Sequence, residues 1–206
     1  PRKGFVWTKK PSPGPHPSRR ALALSQLLIV LGLAKTMKEA KAVLNGRHIK
    51  VDGKIRKDPR FPVGFMDVVS TPIGNFRILL DEKGRLYPKE TNNPDKKICR
   101  VEKKVRVKGG KIQVTLHDGR NVLDLECKVG DSVLISLPDG KVAKKYPLVE
   151  GTLCFIIDGN YVGRIGKVNK IIPGTITREA EVVFHSDGSQ FTTLKRYSFP
   201  IEEEVL

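Results

Sequence analysis

The chain has 206 residues, 39% of them hydrophobic, which is enough to bury a core in one large domain or two to three small ones. Its formal net charge is +16, a balance that points to a polyanionic partner and favours nucleic acid over a membrane face or an acidic protein. Three cysteines, Cys99, Cys127 and Cys154, form no CxxC pair, so a zinc knuckle is excluded; each sits in a strand-like apolar context and reads as a small buried side chain in a reducing compartment.

The charge is uneven. Residues 1–60 carry 15 Lys and Arg against 3 acids, a net of +12, and the remaining residues net only +4. The sequence begins at Pro1 rather than Met, so further residues are expected to precede it. Residues 1–17, PRKGFVWTKKPSPGPHP, have no periodicity, and Pro11, Pro13, Pro15 and Pro17 with Gly14 exclude a helix or a central strand. This is an extended basic arm, expected to be disordered alone in water. Its Phe5 and Trp7 lie among Arg2, Lys3, Lys9 and Lys10. Against RNA, those cations meet phosphates and the rings stack on bases. The rings docking on this protein's own core is the equal alternative.

Residues 19–34, RRALALSQLLIVLGLA, look like a signal-peptide core, but the run is too short to span a bilayer and basic sequence continues after it. It reads as a buried helix from Arg19 to about Leu31, capped by Ser18 and ended by Gly32. Thr36 caps a second helix, MKEAKAVLN, with Glu39 completing a capping box and Asn45–Gly46 ending it. Ala40, Val43 and Leu44 fall on one face, and Lys38 and Lys41 point elsewhere. HIKV, an Asp52–Gly53 turn and KIR then give a two-residue hairpin. After Pro59 and Pro62, VGFMDVVS reads as one further strand.

From about residue 71 the pattern is all-β. NFRILL and RLY flank a turn at DEKG; KICRVEKKVRV and KIQVTL flank Gly109–Gly110; DSVLISL lies between turns at Asp118–Gly119 and Asp139–Gly140. A last unit begins near Val149, with turn pairs at Asp158–Gly159 and Asp187–Gly188, and the tail IEEEVL is acidic. Strands of this length and spacing favour small barrels or sandwiches over a parallel sheet.

The chemistry concentrates in residues 37–61, which hold eight Lys or Arg against three acids. The capped helix projects Lys38 and Lys41, the turn at Gly46 sets Arg47 and His48 beside them, and the hairpin adds Lys50, Lys54, Arg56 and Lys57, with Arg60 following. Arg19 and Arg20 precede the first helix. Cations on rigid elements can match the phosphate spacing of folded RNA. The pattern Thr36-x-x-Glu39-Ala40, Asn45-Gly46, Ile49-x-Val51-Asp52-Gly53 resembles the S-four RNA-binding domain, which packs a helix pair on a small sheet and lays its second helix against structured RNA. The family often has Arg after Glu-Ala; here it is Lys41, which binds phosphate without the bidentate fork.

The run Gly159-x-x-x-Gly163-x-x-Gly166-x-Val168, preceded by a strand at residues 154–157, is similar to a KOW motif, part of a small SH-three-like barrel. Gly163 and Gly166 would permit bends and positive φ, and Arg164 and Lys167 could face RNA. The order of modules, with GFVWTKKPSPGPHP, KIRKDPRFPVGFMDVVS and FTTLKRYSFPI, resembles the archaeal and eukaryotic S-four-e family of small-subunit ribosomal proteins over residues 1–200. The resemblance implies an α+β, mostly β chain: arm 1–17, S-four-like RNA-binding domain 18–70, β-rich central domain 71–148, KOW barrel 149–200 and acidic tail 201–206. It implies a structural, rRNA-binding constituent of the cytoplasmic small subunit, with small-subunit rRNA and neighbouring ribosomal proteins as partners. The acids and bases of the central domain are better balanced, so fewer RNA contacts are expected there.

No catalytic fingerprint appears: no P-loop, GxSxG or Rossmann motif, and no cofactor or metal signature. His117 and His185 each read as a strand end followed by a surface turn. A non-ribosomal RNA-binding or KOW-type transcription or translation factor is the alternative. An RNA-modifying enzyme would need a catalytic domain for which the chain has no room.

Overall fold

A computed structural model of the chain describes residues 9–107, 109–186 and 188–202. The architecture is α+β and mostly β. It divides into two compact units, the first made of residues 1–79, 85–97 and 136–141, the second of residues 80–84, 98–135 and 142–206.

The first unit packs two short helices on small antiparallel sheets. After a 3₁₀ turn at Ser18–Arg20 come β1 (Ala21–Ala23), α1 (Leu24–Val30), α2 (Met37–Asn45), β2 (Lys50–Val51), β3 (Lys54–Ile55), β4 (Pro62–Gly64), β5 (Val68–Thr71), β6 (Gly74–Leu80) and β7 (Leu86–Glu90). The sheet order is β3-β2-β5-β6-β7, with β1 and β4 forming a separate pair. Leu24, Leu27 and Leu28 of α1, Ala40 and Leu44 of α2, and Ile49, Val63, Val69 and Ile78 share one buried cluster. The apolar run at residues 19–34 is therefore core, and no helix among the described residues is long and apolar enough to cross a membrane.

The first helix is shorter than its sequence suggests. Ala21–Ala23 pair with β4 instead, and α1 starts at Leu24 with no side-chain cap. Leu24 and Ser25 N–H donate to Phe61 and Pro59 carbonyls at 2.9 and 3.0 Å. The loop before β4 thus satisfies the orphan donors that Ser18 was expected to cap. The end is as expected: Leu33 N–H donates to Leu28 O and Gly32 N–H to Ile29 O, both at 3.0 Å, a Schellman motif with Gly32 at φ +74°. VGFMDVVS also differs, breaking into β4 and β5. Met66, at φ +68°, donates to Ile78 O at 2.8 Å, and the kink turns Asp67 inward.

The second unit holds two five-stranded antiparallel sheets. The first uses β8 (Lys96–Arg106), β9 (Ile112–Leu116), β10 (Asn121–Leu123), β11 (Ser132–Ser136) and β12 (Val142–Tyr146) in the order β10-β9-β8-β11-β12. The other uses β13 (Leu153–Ile156), β14 (Ile165–Ile172), β15 (Glu181–Ser186), β16 (Ser189–Leu194) and β17 (Ser198–Pro200) in the order β16-β15-β14-β13-β17. It closes over Cys154, Ile156, Val168, Val182, Phe184 and Phe191. The segment ending in KRYSF is interrupted by a 3₁₀ turn at Lys195–Tyr197, because the buried Arg100 guanidinium takes the carbonyls of Arg196 (2.5 Å) and Ser198 (3.0 Å).

Glycine expectations hold in part. Gly163 has φ +84°, and a Cβ there would come within 2.6 Å of the Asp81 backbone carbon. Gly166 is not in the left-handed region; its constraint is space, since a Cβ would lie 3.2 Å from Phe184 Cβ. Cys99 and Cys154 are fully buried as expected. Cys127 is not: it lies half-buried in the loop after β10.

Candidate nucleic-acid interface

The basic face is built from α2 outward. Thr36 Oγ1 accepts from Glu39 N–H at 3.2 Å, and Glu39 Oε2 accepts from Lys35 N–H at 2.8 Å, one residue earlier than a standard capping box. With Ala40 and Leu44 turned into the core, Lys38 and Lys41, one turn apart, stay exposed. The helix closes differently from expectation. Gly46 keeps right-handed geometry, and the left-handed residue is Arg47, at φ +60°. A non-glycine residue there costs roughly 1 kcal/mol. The His48 ring lies over the bare Cα of Gly46, where a Cβ would meet its Cδ2 at 3.2 Å. Arg47 and His48 are both exposed.

The hairpin follows with Asp52 at φ +51° and Gly53 at φ +75°, the type I′ turn that Asp-Gly favours. Lys50 on β2 and Lys54 on β3 are exposed, as are Lys57 and Arg60; Arg56 is half-buried with its guanidinium carbon 4.4 Å from the Phe61 ring centroid. Arg56 stiffens the hairpin exit as much as it presents charge. Arg19 and Arg20 are exposed on the 3₁₀ turn. Arg2 and Lys3, like Phe5 and Trp7, lie outside the described residues. In the second unit, Arg164 is exposed before β14 with its guanidinium 5.7 Å from the Tyr161 ring centroid, and Lys167 is exposed on β14.

The described part of the arm is docked, not free. Lys9 and Lys10 are exposed, but Ser12 N–H donates to Arg60 O at 2.8 Å and Arg60 Nε donates to Lys10 O at 3.2 Å. His16 is buried, its Nε2 2.8 Å from Asp67 Oδ1, and its ring occupies the space that a Cβ on Gly64 would need, 2.4 Å from Cγ. A polar network that the sequence did not reveal stands behind it. Lys97 Nζ, with no exposed side-chain surface, donates to Asp52 Oδ2 at 2.7 Å and Asp67 Oδ1 at 2.6 Å. Val68 and Gly64 N–H groups donate to the remaining oxygens, Asp52 Oδ1 and Asp67 Oδ2, at 3.1 and 2.9 Å. Burial pushes both carboxyls up. At Asp67 the Lys97 ammonium and His16 outweigh it and hold the group well below the usual carboxylate range. At Asp52 burial wins over Lys97, and Asp67 adds to the rise.

The network also explains the missed strand break, since Asp67 must leave the sheet to reach Lys97. Strand period gives no signal for it: in β8 every residue from Lys97 to Val101 is buried, on both faces. His117 opens the turn after β9, as the sequence suggests, but it is half-buried: its Nδ1 accepts from Arg100 N–H at 3.2 Å and its ring meets Phe199 edge-on at 5.2 Å. His185 is exposed.

The arrangement is a rigid scaffold presenting cations, and comparison with known proteins names its kind. The ribosomal family S4e matches residues 74–142, and the S4 domain matches residues 24–69. The small ribosomal subunit protein eS4 of Methanothermobacter thermautotrophicus is 41% identical, with 98% of this chain and 86% of the relative covered. The chain belongs to the S4e family of ribosomal proteins. The eS4 protein of Methanocaldococcus jannaschii is 39% identical over 99% of this chain and 89% of its own length. The crystal structure of the 30S ribosomal protein S4e from Thermoplasma acidophilum superposes with a TM-score of 0.77 at 29% identity, covering 88% of this chain and 95% of that one. The S4 match spans α1, α2, the β2–β3 hairpin and the buried Asp52 and Asp67, so the exposed cations of residues 38–60 are carried by the S4 domain of this S4e chain.

Proposed function

We propose that this S4e protein is a structural constituent of the small ribosomal subunit in the cytoplasm, where it binds and orders rRNA through the phosphate backbone. The observation that carries this is the near-complete match to small-subunit eS4 proteins. The exposed positions of Lys38, Lys41, Arg47, His48, Lys50, Lys54, Lys57 and Arg60 support the mechanism. Long cationic side chains on a helix, its closing turn and a hairpin contact phosphates and fix the protein's position on the RNA. Arg164 and Lys167 on the KOW-like sheet form a second contact, and residues 1–17 act as an arm along the RNA. In this reading the functional division is arm 1–17, S4 domain 18–70, central domain 71–148, KOW-like domain 149–200 and tail 201–206. The role is non-catalytic, and the partners are small-subunit rRNA and adjoining ribosomal proteins.

Binding to small-subunit rRNA, measured against salt, tests the mechanism. The expected log K against log salt plot is steep, and replacing Lys38, Lys41 and Arg47 together with Ala lowers its slope by about 2 to 3 while circular dichroism is unchanged. A flat plot for the native chain would refute backbone recognition. An unchanged slope in the variant would move the main contact off the S4 face. Sedimentation of a native lysate separates a constituent, which travels with small subunits at equal stoichiometry, from a transient factor, which stays near the top of the gradient.

A further inference from the structure

The second unit has a cavity of about 430 Å³. Gly159, Asn160 and Tyr161 from the loop after β13 line it, with Glu181 at the start of β15, Thr192 on β16 and Tyr197 on the 3₁₀ turn. Both rings are held from behind. Tyr161 packs on Phe191 at 4.6 Å between centroids, and Phe191 stacks on Phe184 at 5.5 Å. Tyr197 lies against Gly159, where a Cβ would come 3.2 Å from its ring carbons. The only charged side chain lining the cavity is Glu181, and among the described residues no cation pairs with it.

This is the wrong lining for a phosphate and the right one for a cation. In a chain of net charge +16, the one charged side chain that lines this cavity is an acid, and two tyrosines share the lining with it. The rings already attract guanidinium groups: Arg164 stands 5.7 Å from the Tyr161 centroid and Arg196 5.0 Å from that of Tyr197. Arg196 is balanced by Glu179 at 2.9 Å, which leaves Glu181 for an outside charge. We infer that the cavity takes an arginine or lysine side chain from an extended basic segment of a neighbouring protein. The alkyl stem lies along the rings, the charged head meets the Glu181 carboxylate, and the Asn160 carbonyl and Thr192 hydroxyl accept further N–H donors. Arginine suits the site better, because its planar fork both stacks on a ring and pairs with a carboxylate. The inference rests on the ribosomal reading for one thing only, the supply of basic neighbours.

The test is an NMR titration of the ¹⁵N-labelled full chain with the peptide acetyl-Gly-Arg-Gly-amide. Saturable shifts at Asn160, Glu181 and Thr192 are expected, and the peptide with neutral citrulline in place of arginine should bind at least about five-fold more weakly. Glu181→Gln should weaken the arginine peptide about five-fold, and Asn160→Asp, which adds a second acid, should tighten it. Equal binding of the citrulline peptide, or no shifts at these amides, overturns the inference. So does tighter binding of cytidine or adenosine monophosphate at the same amides, which would make this a base-stacking site. Small-subunit rRNA affinity is measured on the same preparations. Glu181→Gln should leave it within about two-fold, since an acid makes no favourable contact with phosphate. Loss of rRNA binding in the native chain with the peptide response intact would refute the ribosomal reading and leave the cavity assignment standing.

Discussion

Replacing Lys97 with Met should damage the first unit out of proportion to a single surface-like charge. The native ammonium, without exposed surface, contacts two carboxylates at 2.7 and 2.6 Å. Met keeps the length and removes the charge, so Asp52 and Asp67 stay buried without the ammonium that both contact. Breaking a buried ion pair this way costs about 3–5 kcal/mol. For a chain of this size that lowers Tm by roughly 6–20 °C. The pH dependence should also shift toward greater stability at low pH. In the native chain the Asp67 carboxyl is held below its unfolded range, so its contribution is present above about pH 4 and is lost as pH falls through the depressed folded value. Asp52, raised by burial, opposes it. Without Lys97, burial and mutual repulsion raise both carboxyls, the folded state binds more protons than the unfolded one, and stability rises as pH falls from 7 toward 5. Thermal melts by circular dichroism at pH 7 and pH 5 measure both effects. Hydrogen exchange at the Gly64 and Val68 amides, which donate to these carboxylates, localises them. A Tm within about 1 °C of native, with unchanged exchange at those amides, would refute the reasoning.

Arg47→Gly separates fold from site: relief of the left-handed strain should keep or raise stability by up to about 1 kcal/mol in urea denaturation, while rRNA affinity falls. Gly64→Ala places a methyl group 2.4 Å from His16 Cγ, so it should eject His16 and expose the Lys9–Lys10 peptide bond to trypsin well before native chain is cut there. Burial pushes the Cys154 thiol up to about 12 and Cys99 is fully enclosed; a thiol reagent at pH 8 should therefore label the native chain at Cys127 first, and prior labelling at Cys154 would contradict the closed core.

The parts of the fold governed by local rules were legible. Thr36 and Glu39, the Asp52–Gly53 turn, the end of α1 at Gly32 and the Asp118–Gly119 and Asp139–Gly140 turns each depend on a few adjacent residues, and each forms where the sequence puts it, while Asp187 of the last Asp-Gly pair lies outside the described residues. The misread elements depend on distant partners. Ala21–Ala23 have helical composition, but β4 about forty residues away draws them into a strand. Met66 and Asp67 sit in a continuous apolar run, and only Lys97, 30 residues on from Asp67, explains the break there. The cations of residues 38–60 were legible for the opposite reason: a charge that stays in water needs no partner. His16 was hidden among prolines, in an arm whose composition speaks for disorder, and its burial follows from the gap left by Gly64.

Synthesis runs from the N-terminus, and the first unit is assembled from three separated lengths of chain. Asp52 and Asp67 leave the ribosome 45 and 30 residues ahead of the lysine that neutralises them, and residues 136–141 complete the unit later still. The nascent S4 domain therefore carries two acids that still lack their shared lysine beside its growing positive face, and Asp67, the docking partner of His16, is not locked in place until β8 begins to emerge. Maturation of the RNA-facing surface is thereby timed by elongation, with the His16 anchor completed only once Lys97 has been made.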